Sequence, residues 1–319
     1  MDHSEPLLPL QPALPGAAEI DFQRRFGGLA RLYGAEGLAR LTRAHVCVIG
    51  VGGVGSWVVE ALARSAVGTL TLIDLDHVAE SNINRQVHAN DHTLGAAKIG
   101  AMAERIAAIN PLCVVHQVDE FIDPENVAAL VPPGRFDYVI DAIDNVKAKV
   151  ALIVHCRDQG IPLLTIGAAG GQMDPTRVRI DDLAFTEHEP LLARVRKRLR
   201  KAHGFSRNLK QRFGIAAVYS DEPLRYPDEV NGVCAIDGSN AVDGDDDMEP
   251  AAVAAGTAAS DAADAPAATP GVTGLNCAGF GSVVAVTGVF GFVAAGHVLR
   301  VLALPSPAPV SSAASAPSR

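Results

Sequence analysis

The chain has 319 residues and a hydrophobic content of 48%, which is ample for a sizeable buried core. Its formal net charge of −9 argues against wholesale coating of nucleic acid, although local clusters of charge matter more than the total. The cysteine count of 5, without a CxxC pair, argues against a disulfide framework and a cysteine zinc site, and it favours a reducing, cytoplasmic location.

Strands and helices alternate along the first half of the chain. Residues 1–21 lack the features of a signal peptide and are expected to form a mobile leader. Apolar periodicity then predicts, in chain order, a broken helix over 22–41, strand 45–50, helix 57–67, strand 69–74, helix 95–109, strand 113–118, helix 124–131, strand 136–140, helix 146–159 and strand 162–166. This order predicts a doubly wound, mostly parallel α/β sheet that binds ligands at the carboxyl ends of its strands.

The glycine loop GVGGVGS connects the first predicted strand to the following helix. Gly50, Gly52, Gly53 and Gly55 permit a tight turn and let a phosphate approach backbone N–H groups at the positive end of the helix. Asp74 ends the next strand, where its carboxylate can accept hydrogen bonds from a ribose. These features alone also fit a nicotinamide dehydrogenase, or glycines that only allow close helix packing.

Polar residues after the second strand favour a triphosphate over a dinucleotide. A triphosphate carries more charge than a pyrophosphate, and Arg85 and Lys98 are cations that can meet its outer phosphates, unless both are solvated surface residues. Asp144 follows the fourth strand and can hold Mg²⁺ between phosphates. The alternative role for Asp144 is to cap the helix that begins near Val146.

The alternation weakens beyond residue 171. An Ala, Asp, Pro and Gly-rich segment over 237–274 is expected to be disordered, and 305–319 is expected to be a mobile tail. The apolar stretch 278–304 fits either close packing of helices, as in a dimer contact, or a membrane span, which would make the protein a membrane-bound adaptor.

A basic segment over 194–212 contains no acid. A solvated helix face normally mixes both signs, so we predict a surface that follows RNA phosphates, with a purely solubilising face as the alternative. The residues expected to contact RNA are Arg194, Arg196, Lys197, Arg198, Arg200 and Lys201. Phe205 or Phe213 is expected to be available for stacking on bases.

An ordered set of motifs resembles the ubiquitin-activating superfamily of ThiF and MoeB type. The motifs are GVGGVGS at 50–56, LIDLD at 72–76, SNINRQ at 81–86, Lys98 and IDAIDN at 140–145. Within that superfamily the chain is similar to the family of tRNA threonylcarbamoyladenosine dehydratases. That similarity is carried by RFGGLARLYG at 25–34, NRQVHA at 84–89, GAAGGQMDPT at 167–176, VYSDEP at 218–223 and GFVAAGHVL at 291–299.

The resemblance implies an ATP-dependent enzyme that activates a carboxylate by transferring AMP. It implies one adenylation domain over 22–304, a tRNA substrate carrying threonylcarbamoyladenosine, ATP and Mg²⁺, a Na⁺ or K⁺ ion, a homodimer and a cysteine-desulfurase or sulfur-acceptor partner. The implied roles of individual residues are as follows: Gly50, Gly52, Gly53 and Gly55 bound the phosphate loop, Asp74 holds ribose, Asn82, Arg85 and Lys98 hold phosphates, Asp144 assists Mg²⁺, and Arg25 reaches the ATP of a partner subunit.

One alternative within the superfamily is adenylation of the C-terminus of a sulfur-carrier or ubiquitin-like protein. Bacterial relatives with that activity usually carry paired CxxC zinc ligands, which this sequence lacks. Cys234 and Cys277 match family positions, but their surroundings in the sequence do not indicate a lowered thiol pKa. A structural role is therefore expected for both cysteines.

Overall fold

The computed structural model describes residues 20–226, 234–235 and 280–304. Its strands are β1 (His45–Ile49), β2 (Thr69–Ile73), β3 (Val114–Val118), β4 (Tyr138–Asp141), β5 (Leu163–Ile166), β6 (Val178–Asp182), β7 (Ala216–Ser220), β8 (Arg225–Tyr226) and β9 (Cys234–Ala235). Its helices are α1 (Phe22–Arg43), α2 (Gly55–Arg64), α3 (Lys98–Ile109), α4 (Val127–Leu130), α5 (Val146–Gln159), α6 (Pro190–Ala202) and α7 (Val284–Ala303). Residues 1–19, the insertion 237–274, Cys277 and the tail 305–319 lie outside the described residues.

Seven strands form one sheet in the order β3-β2-β1-β4-β5-β7-β6. Within this sheet only the β6–β7 pair is antiparallel, so the predicted mostly parallel, doubly wound α/β fold is confirmed. The strand order reverses direction between β1 and β4. In sheets of this kind the reversal leaves a crevice at the carboxyl ends of the two strands, which is where ligands bind.

Helices cover both faces of the sheet because alternate residues of each buried strand are apolar on opposite sides. Val46 and Val48 of β1 face a core formed with α2, α3 and α7, whereas Cys47 and Ile49 face a core formed with α4, α5 and α6. Backbone strands covered on both faces are rigid, so the loops at their carboxyl ends start from fixed positions.

Helix α7 packs closely against α2. A Cβ atom at Gly291 would lie 2.6 Å from Cβ of Trp57, so only glycine permits this approach of the two helices. Among the described helices α7 alone is long and apolar enough to cross a membrane, and half of its apolar window is buried in the protein. Helix α7 thus makes a close helix contact within the chain, while the dimer contact and the membrane span both stay predictions.

The second half of the sheet differs most from the sequence expectation. The sequence analysis did not predict β6, β7 or α6. Strand β6 is an exposed edge strand of mixed polarity, and in α6 the basic residues obscure the apolar spacing. That spacing is real, since Leu191, Leu192, Val195 and Leu199 are buried. The predicted break in the first helix lies at Gly34, whose φ is 78°.

Candidate active site

A cleft of about 830 Å³ lies at the carboxyl ends of the central strands. Its walls come from the loops that follow β1, β2, β3, β4 and β5, together with the chain that leads into α7. The cleft is therefore where the strand order predicts a ligand site. The predicted site residues that line it are Gly50, Gly52, Gly53, Asp74, Asn82, Arg85, Lys98 and Asp144.

The glycine loop turns sharply between β1 and α2. Gly50 has φ of 85°, and a Cβ there would lie 2.8 Å from the carbonyl oxygen of Ala142. A Cβ at Gly55 would lie 1.8 Å from the carbonyl oxygen of Gly50, so Gly55 lets α2 start against β1. Gly55 is absent from the cleft lining, whereas Gly52 and Gly53 are part of it. The last glycine is thus needed for the turn itself.

Asp74 connects the end of β2 to the glycine loop. Its Oδ2 accepts a hydrogen bond from Val51 N at 2.6 Å, and its Oδ1 accepts one from Asp76 N at 2.8 Å. Burial raises the pKa of Asp74, while the charge of Lys98 and the two amides oppose that rise. A carboxylate has more acceptor positions than these two bonds use, so Asp74 can hold the loop and also accept from a ribose.

Two cations line the cleft and are held by protein oxygen atoms. Arg85 Nη1 donates to Ser81 O at 2.7 Å, and a Cβ at Gly53 would lie 3.3 Å from Cδ of Arg85. Lys98 is 6% exposed, and its Nζ lies 2.6 Å from Oδ2 of Asp76. These contacts hold both positive charges in the cleft before any ligand arrives, Arg85 beside the glycine loop and Lys98 beside Asp76.

Asn82 shapes the turn that carries Arg85. Its Oδ1 accepts a hydrogen bond from Ala79 N at 3.0 Å, and its side chain is 9% exposed. Trp57 of α2 donates from Nε1 to Arg85 O at 2.9 Å, which ties the same turn to the helix after the glycine loop. The turn is therefore held from both sides.

Asp144 does not cap α5. The N-cap residue is Asn145, whose Oδ1 accepts from Ala148 N at 3.0 Å, so the capping alternative for Asp144 is wrong. Asp144 is exposed within the cleft, where its carboxylate is accessible to a ligand. Lys147, one turn further on, is also exposed in the cleft and was missed by sequence reasoning.

Sequence reasoning also missed a buried ionic cluster beneath the cleft. Nζ of Lys149 lies 2.9 Å from Oδ2 of Asp141, and both side chains are 0% exposed. Glu189 is also buried, at 2% exposure, and its Oε1 accepts from Ala168 N at 2.9 Å. The pattern of α5 alone gives no signal that Lys149 rather than Lys147 is the buried lysine.

Arg25 and the basic segment lie outside the cleft lining. Arg25 is exposed and donates from Nη1 to Ile109 O at 2.9 Å, at the end of α3. Four residues of α6 present exposed basic side chains: Arg194, Lys197, Arg198 and Lys201. Arg196 and Arg200 are partly buried instead, since Arg196 donates to the Thr186 hydroxyl and Arg200 Nε donates to Ser206 O.

The aromatic residues after α6 do not form an open stacking platform. Phe205 is 7% exposed and belongs to the core, and its ring centroid lies 4.9 Å from that of Phe213. The expectation that Phe205 is available for stacking on bases is therefore wrong, because its ring is buried in the hydrophobic core. Arg157 covers the Phe205 ring at 4.5 Å, and Arg200 lies 5.2 Å from the Phe213 ring.

The chain is similar to known proteins over most of its length. A model of the ThiF family matches residues 24–314. The tRNA threonylcarbamoyladenosine dehydratase of Haemophilus influenzae is 46% identical, covering 89% of this chain and 96% of its own length. The dehydratase of the same name from Escherichia coli is 45% identical, covering 88% and 93%.

Solved structures agree with these sequence relationships. A crystal structure of E. coli tRNA N6-threonylcarbamoyladenosine dehydratase in complex with ATP has 42% identity and a TM-score of 0.70, and it covers 88% of this chain and 94% of that chain. A more distant relative is the molybdopterin-synthase adenylyltransferase of E. coli, which is 33% identical over only 44% of this chain. The similarity to the dehydratases thus extends well beyond the part shared with protein-adenylating relatives.

Proposed function

The chain belongs to the ThiF family, and from this premise we propose that it is an ATP-dependent tRNA threonylcarbamoyladenosine dehydratase. The observation that carries the proposal is the full-length similarity to dehydratases, combined with a cleft that contains the glycine loop, Asp74, Arg85 and Lys98. The two crystal structures of the E. coli enzyme that hold ATP and AMP support nucleotide binding by this fold.

The proposed reaction has two steps. The carboxylate of the threonyl group attacks the α-phosphorus of ATP, which releases pyrophosphate and forms an acyl adenylate. The neighbouring carbamoyl group then attacks the activated carbonyl, loses a proton, closes a ring and releases AMP. The nucleoside loses the elements of one water molecule, and these end in AMP and pyrophosphate.

The residues of the cleft favour the first step by position and charge. Arg85 and Lys98 are held in the cleft, so they meet the negative charge that moves toward the departing pyrophosphate. Asp74 holds the ribose and the loop together, so the α-phosphorus has a defined place. Gly52 and Gly53 let the phosphates approach the backbone at the start of α2.

Asp144 is the proposed protein ligand for Mg²⁺. Among the described residues no group of three His, Cys, Asp or Glu side chains could form an all-protein metal site. Mg²⁺ commonly binds one or two carboxylates together with substrate phosphates and water, and Asp144 offers one carboxylate in the cleft. When bound, Mg²⁺ would neutralise phosphate charge. The Na⁺ or K⁺ ion stays a prediction.

We place the tRNA on the exposed side of α6. The residues Arg194, Lys197, Arg198 and Lys201 supply accessible positive charge there, in a protein that is acidic overall. The partly buried Arg196 and Arg200 support the helix instead, and they are less suited to contacting phosphates. Phosphate contacts on this face would hold the anticodon arm while the modified nucleoside enters the cleft.

The homodimer also belongs to this proposal. Helix α7 exposes Val284, Phe292 and Val301, which a second copy of the chain could cover. Arg25 on α1 would then contact the nucleotide of the partner subunit. The cytoplasmic location, the single adenylation domain over 22–304 and the sulfur-relay partner stay predictions, as does any membrane contact.

The proposal is tested by mass spectrometry of tRNA nucleosides from cells that lack this protein. We expect the cyclic form of threonylcarbamoyladenosine to disappear while the open form accumulates. Return of the cyclic form with the intact gene is the necessary control. Cells that keep the cyclic form at its normal level without this protein and without a second copy of its gene would contradict the proposal.

A further inference from the structure

The buried cluster beneath the cleft links two loops that line it. Asp141 Oδ1 accepts a hydrogen bond from Ile143 N at 3.1 Å, which turns the chain toward Asp144. Asp141 Oδ2 accepts from Thr165 Oγ1 at 2.7 Å, and Thr165 in turn accepts from Lys149 Nζ at 3.1 Å. One carboxylate therefore holds the loop after β4 and is itself held from α5 and β5.

Glu189 performs the same task for the loop after β5. Its Oε1 accepts from Ala168 N at 2.9 Å and from Leu191 N at 3.3 Å, and its Oε2 accepts from Leu192 N. A Cβ at Gly167 would lie 2.8 Å from Glu189 Cδ, so the loop presses directly against the carboxylate. Burial raises the pKa of Glu189, and the positive charge of Lys149 is one of the effects that oppose this rise.

Stability alone is a poor reason for this arrangement. The cost of removing water from two charges often exceeds their attraction, so apolar residues of similar volume can fill such a site equally well. What apolar residues cannot do is accept hydrogen bonds from loop amides. Here both carboxylates are used for that purpose, on the two loops that present Asp144 and Ala168 to the cleft.

We propose that Lys149 is a positioning residue for the dehydration: its buried ammonium pairs with Asp141 and donates to Thr165, and this cluster, with Glu189 beside it, fixes the loops 142–145 and 167–170. This inference rests on the proposed function, because the loops matter only if a substrate is aligned between them. Lys149 lies under the cleft surface and is not part of its lining. It acts through Asp141 and Thr165 rather than by contact with the substrate.

The test removes both charges of the Lys149–Asp141 ion pair at once, so that neither of the two remains buried without its partner. In the double variant Asp141→Asn with Lys149→Met, we expect the amides of Ile143 and Ala168 to exchange hydrogen faster while the strand amides keep their protection. We expect kcat to fall about 100-fold, as loss of alignment does, while affinity for ATP stays within about 2-fold. Thr165→Val removes only the bridging hydroxyl, so it should raise the exchange rates and lower kcat by smaller amounts than the double variant. If the double variant does not fold, Thr165→Val provides the test.

A control away from the cleft is the ion pair between Glu60 of α2 and Arg105 of α3, in which Glu60 also accepts from Arg64. Glu60 is 4% exposed, Arg105 Nε lies 2.6 Å from Glu60 Oε2, and neither residue lines the cleft. Glu60→Gln with Arg105→Met should lower the melting temperature without changing kcat or the two loop amides. The inference is overturned if both loop amides keep their parent exchange rates, or if kcat falls no more than in the control. A parent protein without dehydratase activity would contradict the proposed function. Hydrogen exchange is measured on the protein without substrate, so it would still test whether Lys149 fixes the two loops.

Discussion

The cations of the cleft and the cations of α6 have different surroundings. Arg85 and Lys98 contact protein oxygen atoms in the cleft, and Lys98 is almost fully buried. Arg194 and Lys201, in contrast, are exposed on the outside of the fold. Fixed cations stabilise charge that develops at one point, whereas exposed cations attract a polyanion over a distance and in a salt-dependent way. We therefore propose that the same side-chain chemistry serves catalysis in one region and capture of tRNA in the other.

The largest effect is expected from removing a fixed cation. Arg85→Ala and Lys98→Ala should each lower kcat by about 100-fold to 1000-fold, because their charge is most useful as pyrophosphate departs. Binding of ATP should change much less. Single-turnover formation of the cyclic nucleoside, with calorimetry of ATP binding alongside, separates the two quantities. Normal turnover by either variant would remove that cation from the catalytic machinery.

A smaller effect is expected from Asp74→Ala, which changes binding of the nucleotide. Loss of a charged acceptor costs about 1.5 to 3 kcal/mol, so the affinity for ATP should fall by about 10-fold to 150-fold. Asp137→Ala is a suitable control, since Asp137 accepts from His45 N at the opposite end of the sheet. Calorimetry on both variants measures the difference, and parent affinity in Asp74→Ala would exclude Asp74 from the site.

Charge reversal on α6 should affect only the tRNA. In the triple variant Arg194→Glu, Arg198→Glu and Lys201→Glu, we expect the KM for tRNA to rise about 10-fold and its salt dependence to become flatter. Affinity for ATP should be unchanged, because none of these residues lines the cleft. Titrations of KM against salt concentration provide the measurement. An unchanged KM with an unchanged salt slope would show that the basic segment is only a solubilising face.

The smallest effect is expected at Lys147, which combines features of the two regions. It lines the cleft like Arg85 but is exposed like the cations of α6. An exposed cation contributes about 0.5 to 1 kcal/mol to an ionic contact, so Lys147→Ala should weaken tRNA binding about 2-fold to 5-fold. Binding assays against Arg31→Ala, an exposed cation on α1, provide the comparison. A loss of kcat as large as in Arg85→Ala would instead assign Lys147 to the fixed, catalytic group.

The sequence was informative where local patterns determine structure. Apolar runs alternating with helical periodicity predicted the five parallel strands β1 to β5, and Gly50 and Asp74 marked the carboxyl ends of strands where the cleft lies. Lys149 and Glu189 could not be predicted in the same way, because their contacts join segments that are far apart in the chain. The many basic residues of α6 made its buried apolar face difficult to recognise in the sequence. A strongly charged composition can thus obscure the helical spacing of apolar residues.

We propose above all that this cleft dehydrates threonylcarbamoyladenosine at the expense of ATP. The most direct measurement incubates the purified protein with ATP, Mg²⁺ and tRNA that carries the open nucleoside, and then determines nucleoside masses together with AMP. We predict a cyclic nucleoside lighter by one water molecule, formed in equal amount with AMP, and no product with Arg85→Ala on the same time scale. Unchanged open nucleoside with the parent protein, in the presence of bound ATP, would contradict the account.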